Sequence, residues 1–200
     1  MMTIDSLKYH KILPTGHYKV FTERPKIDIA RVKQIHSADL ISLKGMEDPS
    51  EKECDGMIFN LRGLNRAIAI TTADCMPILF LSKEKGAFLH AGWRGLAKAI
   101  HLQEKIKEMT PHYCLIGPSI KHRSFEVQPD FKEHFDDDEF FHKRDDKLYF
   151  DLAGKAQKDI LAAYPGISLE VVEECTFEEA KYHSYRRDHT KQRNWNIFHL

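Results

Sequence analysis

The chain lacks any long apolar run, and this absence limits where it can act. Its 200 residues contain no stretch near the roughly 18 consecutive apolar residues that a membrane-spanning helix needs. The first residues, MMTIDSLKYHKILP, also lack the apolar centre of a secretion signal. We therefore expect a cytoplasmic protein that has no membrane partner.

An excess of charge of either sign is also missing. Thirty Lys and Arg side chains balance thirty Asp and Glu side chains. A chain without net charge has no general attraction for nucleic acid or for an anionic surface. Any anion must then be held by a specific pocket, so we expect a small-molecule partner rather than nucleic acid.

Cysteine is scarce and scattered. Cys54, Cys75, Cys114 and Cys175 show no CxxC spacing, and a chain of this size does not need disulfides to fold. We expect reduced thiols, which are usually small buried hydrophobic side chains.

Linkers, internal repeats and low-complexity tracts are absent as well. With 42% hydrophobic residues, the chain can bury a sizeable core. We predict one domain over residues 1–200, present as a monomer or a homodimer. The charge-dense run at 135–147, FDDDEFFHKRDDK, is predicted to be a solvated loop.

Short apolar runs dominate what is present, and most have the length of strands. The predicted strands are 17–21, 38–43, 56–59, 67–71, 77–81, 87–90, 113–116, 168–172 and 196–200. The polar SKEKG at 82–86, between the strands at 77–81 and 87–90, predicts an antiparallel hairpin. Helical spacing occurs at 96–109 and 152–164. The pattern indicates an α/β or α+β domain with mixed sheets and helices on the outside.

Three polar residues that interrupt or end apolar runs suggest metal chemistry. His36 lies in KQIHSAD, Cys75 in TTADCMP and His90 in FLHAGW. Two imidazoles and a thiolate suit Zn²⁺, and three protein ligands leave a fourth position for water or substrate. Their spacing matches no compact zinc motif, so from the pattern alone a buried cysteine with two hydrogen-bonded histidines is the leading interpretation.

These stretches belong to a longer ordered series. KQIHSAD, ECDGMIF, TTADCMPILF, HAGWRGL, IGPSI followed by FEV, and SYRRD occur in that order. Together they resemble the bacterial laccase-domain family, whose members have been labelled polyphenol oxidoreductases, peptidoglycan editing factors and purine nucleoside phosphorylases. The resemblance covers residues 32–198. It implies a layered α/β/β/α fold in which His36, Cys75 and His90 bind one metal ion, usually taken as Zn²⁺.

The resemblance also implies an activity. It predicts phosphorolysis of the purine nucleosides adenosine or inosine by phosphate, with methylthioadenosine as a further substrate and adenosine deamination as a second activity. Three alternatives stay open: a copper-dependent polyphenol oxidase, a hydrolase that edits peptidoglycan precursors, and a metal-binding module without catalysis. Because zinc has no redox chemistry, oxidation would require copper at this site.

Four residues are predicted to contact substrate. Arg94 lies at a turn into a helix, where a guanidinium and backbone N–H groups favour an anion. Glu126 in FEV matches a glutamate of the family. Arg186 and Arg187 in SYRRD point in opposite directions if that segment is extended, so one of them would face the pocket and the other would pair with Asp188.

Two residues of the TADC motif have further predicted roles. Cys75 is an alternative nucleophile with His90 or His36 as its base, but a metal-bound thiolate is a poorer nucleophile, and the ligand role is favoured. Asp74 is predicted to act in catalysis, either by orienting a histidine or as a general acid or base. A turn carboxylate that only shapes the loop is the competing interpretation.

The chain departs from the family pattern at two places. Its amino-terminal segment is short and lacks the family's glycines, which puts substrate contacts from those loops in doubt. After GPSI, Ser124 and Phe125 stand where the family often has cysteine and tyrosine. A cysteine acting at that point in other members therefore has no counterpart here.

Overall fold

The computed structural model describes residues 6–45 and 47–200. The strands are β1 Leu7–Ile12, β2 His17–Phe21, β3 Ile29–Ala30, β4 Leu40–Ser42, β5 Gly56–Asn60, β6 Ala67–Thr72, β7 Met76–Leu81, β8 Lys85–Ala91, β9 Tyr113–Ile116, β10 Glu126–Val127, β11 Phe141–Arg144, β12 Lys147–Phe150, β13 Ser168–Val171 and β14 Asn194–His199. The α-helices are α1 Trp93–Ala97, α2 Glu104–Lys107, α3 Leu152–Ala163 and α4 Tyr185–Asp188. Strands outnumber helices, as the sequence predicts.

The central element is a six-stranded sheet in the order β13-β9-β7-β8-β5-β4. Its inner pairs are antiparallel, while its two edge pairs, β13 with β9 and β4 with β5, are parallel. The predicted hairpin is confirmed, because β7 and β8 pair antiparallel with Ile78 opposite Leu89. The sheet is therefore mixed, as expected.

A five-stranded sheet in the order β1-β2-β14-β6-β3 packs against the larger one. Aromatic rings join the two: Tyr18 meets Phe88 edge to face at 6.3 Å, and Phe59 meets Phe198 at 5.5 Å. All four rings are almost completely buried. Burial of each such side chain contributes about 1.5–3 kcal/mol to folding, so this interface fixes the two sheets against each other.

Helices cover the other face of the six-stranded sheet. One buried cluster joins them to the sheet. It contains Leu96 of α1, Ile100, Ile160 of α3, and Ile78 and Phe80 of β7. The helix predicted at 152–164 is confirmed as α3, whose first turn is capped by the Asp151 carboxylate accepting from the Gly154 N–H. Mixed sheets with few helices confirm the α/β class.

The helix predicted over 96–109 is broken into three pieces. Ala99 has a left-handed φ of 55°, and a 3₁₀ turn at Ile100–Leu102 separates α1 from α2. The break lets the buried His101 ring approach Asp159 at 3.0 Å, and the Tyr164 hydroxyl donates to the His101 carbonyl. These bonds to α3 outweigh the helical pattern of the segment.

The prediction of a solvated loop at 135–147 is wrong for the second half of that range. β11 and β12 pair there as a hairpin, next to β10 in a three-stranded sheet. Asp145 and Asp146 form its turn with φ of 45° and 60°, the left-handed values that two-residue hairpin turns require. Phe141 and Phe150, with ring centroids 4.8 Å apart, anchor it to the core.

The remaining strands, β1, β3 and β10, are short or carry few apolar residues, and the sequence did not predict them. In the described ranges, no helix combines the length and the apolar content needed to cross a membrane.

Candidate functional site

The β7–β8 hairpin brings two of the predicted metal ligands together. Cys75 comes just before β7, and His90 lies near the end of β8, where Met76 pairs with Ala91. His36 reaches the same point from the loop between β3 and β4. One ligand atom from each of these three side chains lies within 4.8 Å of the others. The three residues singled out from the sequence thus converge.

A buried carboxylate holds this arrangement. Asp55 has no exposed surface, and its Oδ1 accepts a hydrogen bond from His90 Nδ1 at 2.7 Å. The same carboxylate accepts from the backbone N–H groups of Ile35, His36 and Ser37 at 3.3, 3.0 and 2.5 Å. Because Asp55 fixes the His90 proton on Nδ1, Nε2 of that ring is available to bind a metal ion.

The loop that carries His36 is strained and firmly held. His36 has a φ of 61°, a left-handed value that few residues other than glycine adopt. Gln34 anchors the loop by bonding the Thr71 backbone on both sides, donating to its carbonyl at 2.8 Å and accepting from its N–H at 2.9 Å. Strain maintained by such bonds is typical of functional sites.

The electrostatics of the cluster favour a thiolate. Burial alone would raise the pKa of the Cys75 thiol, but the His90 and His36 imidazoles outweigh it and lower that pKa to about 6. Burial would lower the pKa of His90, but the Cys75 thiolate and the Asp55 carboxylate raise it to about 9. Both pKa shifts favour a thiolate beside an imidazolium over two neutral groups, and a metal ion held here would compete with the proton of the His90 ring.

The residues present fit a metal ion. Two imidazoles and a thiolate are the donors of an open zinc or copper site. A Cβ placed on Gly92 would come within 2.9 Å of Cys75 Sγ and 3.4 Å of His36 Cδ2. Gly92 has an ordinary φ of −76°, so the space beside the ligands, rather than the backbone conformation, requires glycine here.

The cluster opens into a cavity of about 510 Å³, a size typical of small-molecule sites. His90 is buried and His36 is exposed, so the open side of the cluster lies towards His36. The cavity is lined by Arg31, Val32, Lys33, Gln34, His36, Thr71, Thr72, Ala73, Cys75, His90, Tyr185 and Arg193.

Asp74 lies next to Cys75, but its carboxylate forms its hydrogen bonds with residues outside the metal-ligand cluster. Its Oδ1 accepts from the Thr176 hydroxyl at 2.8 Å, and its Oδ2 accepts from the Arg186 N–H at 2.7 Å. Its own φ is 91°, so the turn before Cys75 is strained. The geometry favours a positioning role, in which Asp74 ties this turn to α4.

Of the predicted substrate contacts, Arg94 and Glu126 lie outside the metal cavity. Arg94 is exposed and stacks on Trp93, with its Cζ 4.3 Å from the ring centroid. Glu126 accepts a hydrogen bond from Lys147 at 2.9 Å. It lines a second cavity, of about 420 Å³, together with Trp93 and Arg186.

Of the two arginines of SYRRD, Arg187 forms the predicted pair with Asp188, although the segment is the short helix α4 rather than extended. Arg187 pairs with Asp188 at 2.8 Å and donates to the Thr176, Phe177 and Tyr182 carbonyls, so it holds the local backbone together. Arg186 extends to the Glu126 carbonyl at 2.6 Å. Of these two, Arg186 is the one beside a cavity.

Sequence reasoning missed the residues that hold the ligands and those that line the cavity. Asp55 lies in ECDGMIF and Gln34 in KQIHSAD, so both belong to motifs already noted, but neither has a spacing that reveals its hydrogen bonds. Arg31, Tyr185 and Arg193 reach the cavity only through the fold.

Comparison with known proteins gives consistent matches. Residues 18–198 match the family described as multi-copper polyphenol oxidoreductase laccase. An Aquifex aeolicus protein named purine nucleoside phosphorylase is 36% identical over 182 residues, covering 88% of this chain and 84% of that protein. Adenosine deaminase RL5, from an unknown prokaryotic organism, is 33% identical over 118 residues, covering 54% of this chain and 44% of that protein.

A crystal structure of a Neisseria meningitidis protein of the DUF152 family has a similar fold. Its TM-score is 0.75 at 28% identity, and the match covers 87% of this chain and 75% of that one.

Replacing Asp55 with asparagine should weaken metal binding by about 10- to 100-fold, because the His90 ring loses the carboxylate that orients it. Competition with a chelator measures the metal affinity. Asp39→Asn is the matched control, since Asp39 is exposed and the change leaves intact its backbone carbonyl, which accepts from the Asp55 N–H. Equal affinities for the two variants would contradict the positioning role of Asp55.

Gly92→Ala should also lower metal affinity while the fold survives, because the added methyl group pushes against Cys75 Sγ and His36. The expected loss is about 10-fold or more, since ligand atoms tolerate only small displacements. Metal affinity is read by the same competition, and circular dichroism checks the fold. Ala97→Ser, an exposed change in α1, serves as control. Unchanged affinity in the Gly92 variant would show that the ligands do not need this space.

Proposed function

This chain belongs to the multi-copper polyphenol oxidoreductase laccase family, and we propose that it is a zinc-dependent purine nucleoside phosphorylase acting on adenosine or inosine. The observation that carries the proposal is the shared cavity. The two histidines and the cysteine open into a space lined by three cationic side chains and, in the part of the chain that the structure describes, by no carboxylate. That combination suits a neutral nucleoside together with phosphate. The name of the Aquifex aeolicus relative supports it.

The reaction has simple chemical requirements. A phosphate oxygen forms a bond to the anomeric carbon while the bond from that carbon to the purine nitrogen breaks. The bonding electrons leave with the purine, which takes up a proton, and ribose 1-phosphate remains. A protein accelerates this step mainly by positioning the anion and by stabilising developing charge.

His36, Cys75 and His90 would hold the zinc ion. Bound there, Zn²⁺ would supply a Lewis acid that polarises an oxygen of substrate or water. Asp55 keeps the His90 ring in the orientation and tautomer that this requires, and Gln34 fixes the loop of His36. Asp74 acts by holding the turn before Cys75 rather than by touching the substrate.

Tyr185 is suited to the purine base. Its ring is 55% exposed although it lines the cavity, and its only ring partner in the described part of the chain is His189, at 5.5 Å. An exposed aromatic ring beside a polar pocket can stack on a purine base, because every base presents a π-face. Arg186, in the neighbouring cavity with Glu126, would extend the site for a larger substituent on the nucleoside.

Adenosine deamination is the second candidate. The relative named adenosine deaminase RL5 favours it, and an open coordination position next to a purine pocket suits activation of water for attack on the base. Deamination needs no phosphate. The same assay therefore separates the two activities by their products.

The proposal predicts phosphate-dependent release of free base and ribose 1-phosphate when the zinc-loaded protein is given adenosine or inosine. His36→Ala should lower this rate at least about 100-fold, because the metal site loses a ligand. His10→Ala, an exposed change elsewhere, is the control. Product analysis with and without phosphate is the measurement.

Other outcomes of this assay contradict the proposal. Ammonia release alone indicates deamination, and base release without phosphate indicates hydrolysis. Stoichiometric copper in protein purified without added metal, together with oxygen uptake on phenols, would support the oxidase alternative.

Replacing Tyr185 with alanine should raise the KM for the nucleoside about 10-fold, because stacking on one aromatic ring contributes about 1–3 kcal/mol. Tyr185→Phe should keep most of the affinity, since the ring remains. Steady-state kinetics at saturating phosphate measure both variants. If phenylalanine loses as much affinity as alanine, the hydroxyl matters and the ring does not stack.

A further inference from the structure

Three cations line the cavity of the metal ligands, and they come from two separate parts of the chain. Arg31 and Lys33 lie between β3 and β4, while Arg193 directly precedes β14. The fold brings these segments together because β3 and β14 both pair with β6. Among the residues that the structure describes, no Asp or Glu lines this cavity. Cationic side chains therefore gather there, although the chain as a whole has no net charge.

The three cations differ in whether a carboxylate already neutralises them. Lys33 pairs with Glu53 at 2.8 Å. Within residues 6–45 and 47–200, neither Arg31 nor Arg193 forms an ion pair with a carboxylate. Asp48 interacts with the charge of Arg31 without forming an ion pair with it, so both guanidinium groups have N–H donors that no described carboxylate occupies.

Each of these two arginines is nevertheless held in place. Arg193 donates from Nη1 to the carbonyls of Thr190 and Gln192, at 3.0 and 2.8 Å. These bonds orient the guanidinium without neutralising it. Arg31 is half-buried, and its Cζ lies 6.0 Å from the centroid of the Trp195 ring. A charged group whose position is fixed before binding loses less entropy on binding an anion.

The other arginines near the site contact groups outside the metal cavity. Arg94 stacks on Trp93 at the surface, and Arg187 is occupied by Asp188 and three carbonyls. Neither lines the metal cavity. Arg186 points to the Glu126 carbonyl in the neighbouring cavity. Arg31 and Arg193 are thus the unpaired cations that share a cavity with the metal ligands.

We propose that Arg31 and Arg193 form the subsite that binds the phosphate co-substrate. The inference rests on the proposed phosphorolysis and assigns the anion to residues that the sequence motifs did not identify. Guanidinium groups suit this task because their planar forks match phosphate oxygens. The subsite places phosphate in the same cavity as Tyr185 and the metal ligands.

The test compares phosphate kinetics of Arg31→Gln, Arg193→Gln and the double variant, all loaded with zinc. Loss of one charge-assisted contact should raise the KM for phosphate at least about 10-fold. The KM for inosine should change less than about threefold. Arg193→Lys should recover part of the loss, because it restores the charge but not the fork.

Arg24→Gln is the matched control. Arg24 also lies against Trp195, with its Cζ 5.8 Å from the ring centroid, but it does not line the cavity. It should leave the KM for phosphate unchanged. Thermal unfolding of all variants shows whether loss of the contact with Trp195 alters stability, and the Arg24 variant reports that effect separately.

Calorimetry with inorganic phosphate separates this proposal from the proposed function. If the native protein shows no phosphate-dependent turnover, the phosphorylase proposal fails, but phosphate binding that the double variant loses would still support the subsite. If turnover occurs and the double variant keeps its KM for phosphate, the subsite is overturned and phosphorolysis stands. Equal phosphate affinity in the native protein and the double variant, or no binding by either, also overturns it.

Discussion

The site depends on one buried carboxylate. Asp55 bonds a ligand side chain on the six-stranded sheet and the backbone of the loop that carries another ligand, so a single residue positions both histidines. Burial would raise its pKa, but the bonds from His90 and the Ser37 N–H lower it, and the group stays ionised. An uncompensated charge at this depth would cost several kcal/mol. The fold can keep Asp55 there because four N–H donors, three from the backbone and one from His90, bond to its carboxylate.

The charges around Asp55 would also balance if a divalent cation were bound. The Cys75 thiolate and the Asp55 carboxylate together carry two negative charges, which such a cation would neutralise, and both histidines would then be neutral ligands. The metal cluster would contribute little net charge of its own. The charged side chains left lining the cavity would then be Arg31, Lys33 and Arg193, which is how a chain with no overall charge excess can offer a cationic pocket.

Sequence reasoning identified the parts of this molecule that depend on local pattern. The apolar runs predicted most strands, the SKEKG turn predicted the central hairpin, and ordered motifs brought His36, Cys75 and His90 together as ligands. The two failures have different causes. The break at Ala99 accompanies bonds from His101 to Asp159 and Tyr164, which lie far away in the chain and cannot be read from the local pattern. The β11–β12 hairpin is local, but its turn consists of two aspartates with left-handed φ values inside a charged run, and the charge of that run pointed to a loop.

The central position of β14 determines when the site can form during synthesis and folding. This strand lies between β2 and β6 in the middle of its sheet, and Arg193 and Trp195 come with it. The contacts it forms join residues that are far apart in the chain, and such contacts form slowly during folding. The sheet cannot close until residues 194–199 have been synthesised and inserted. The cavity is therefore assembled only after translation of this segment, and a nascent chain that already contains all three metal ligands still lacks one wall of the pocket.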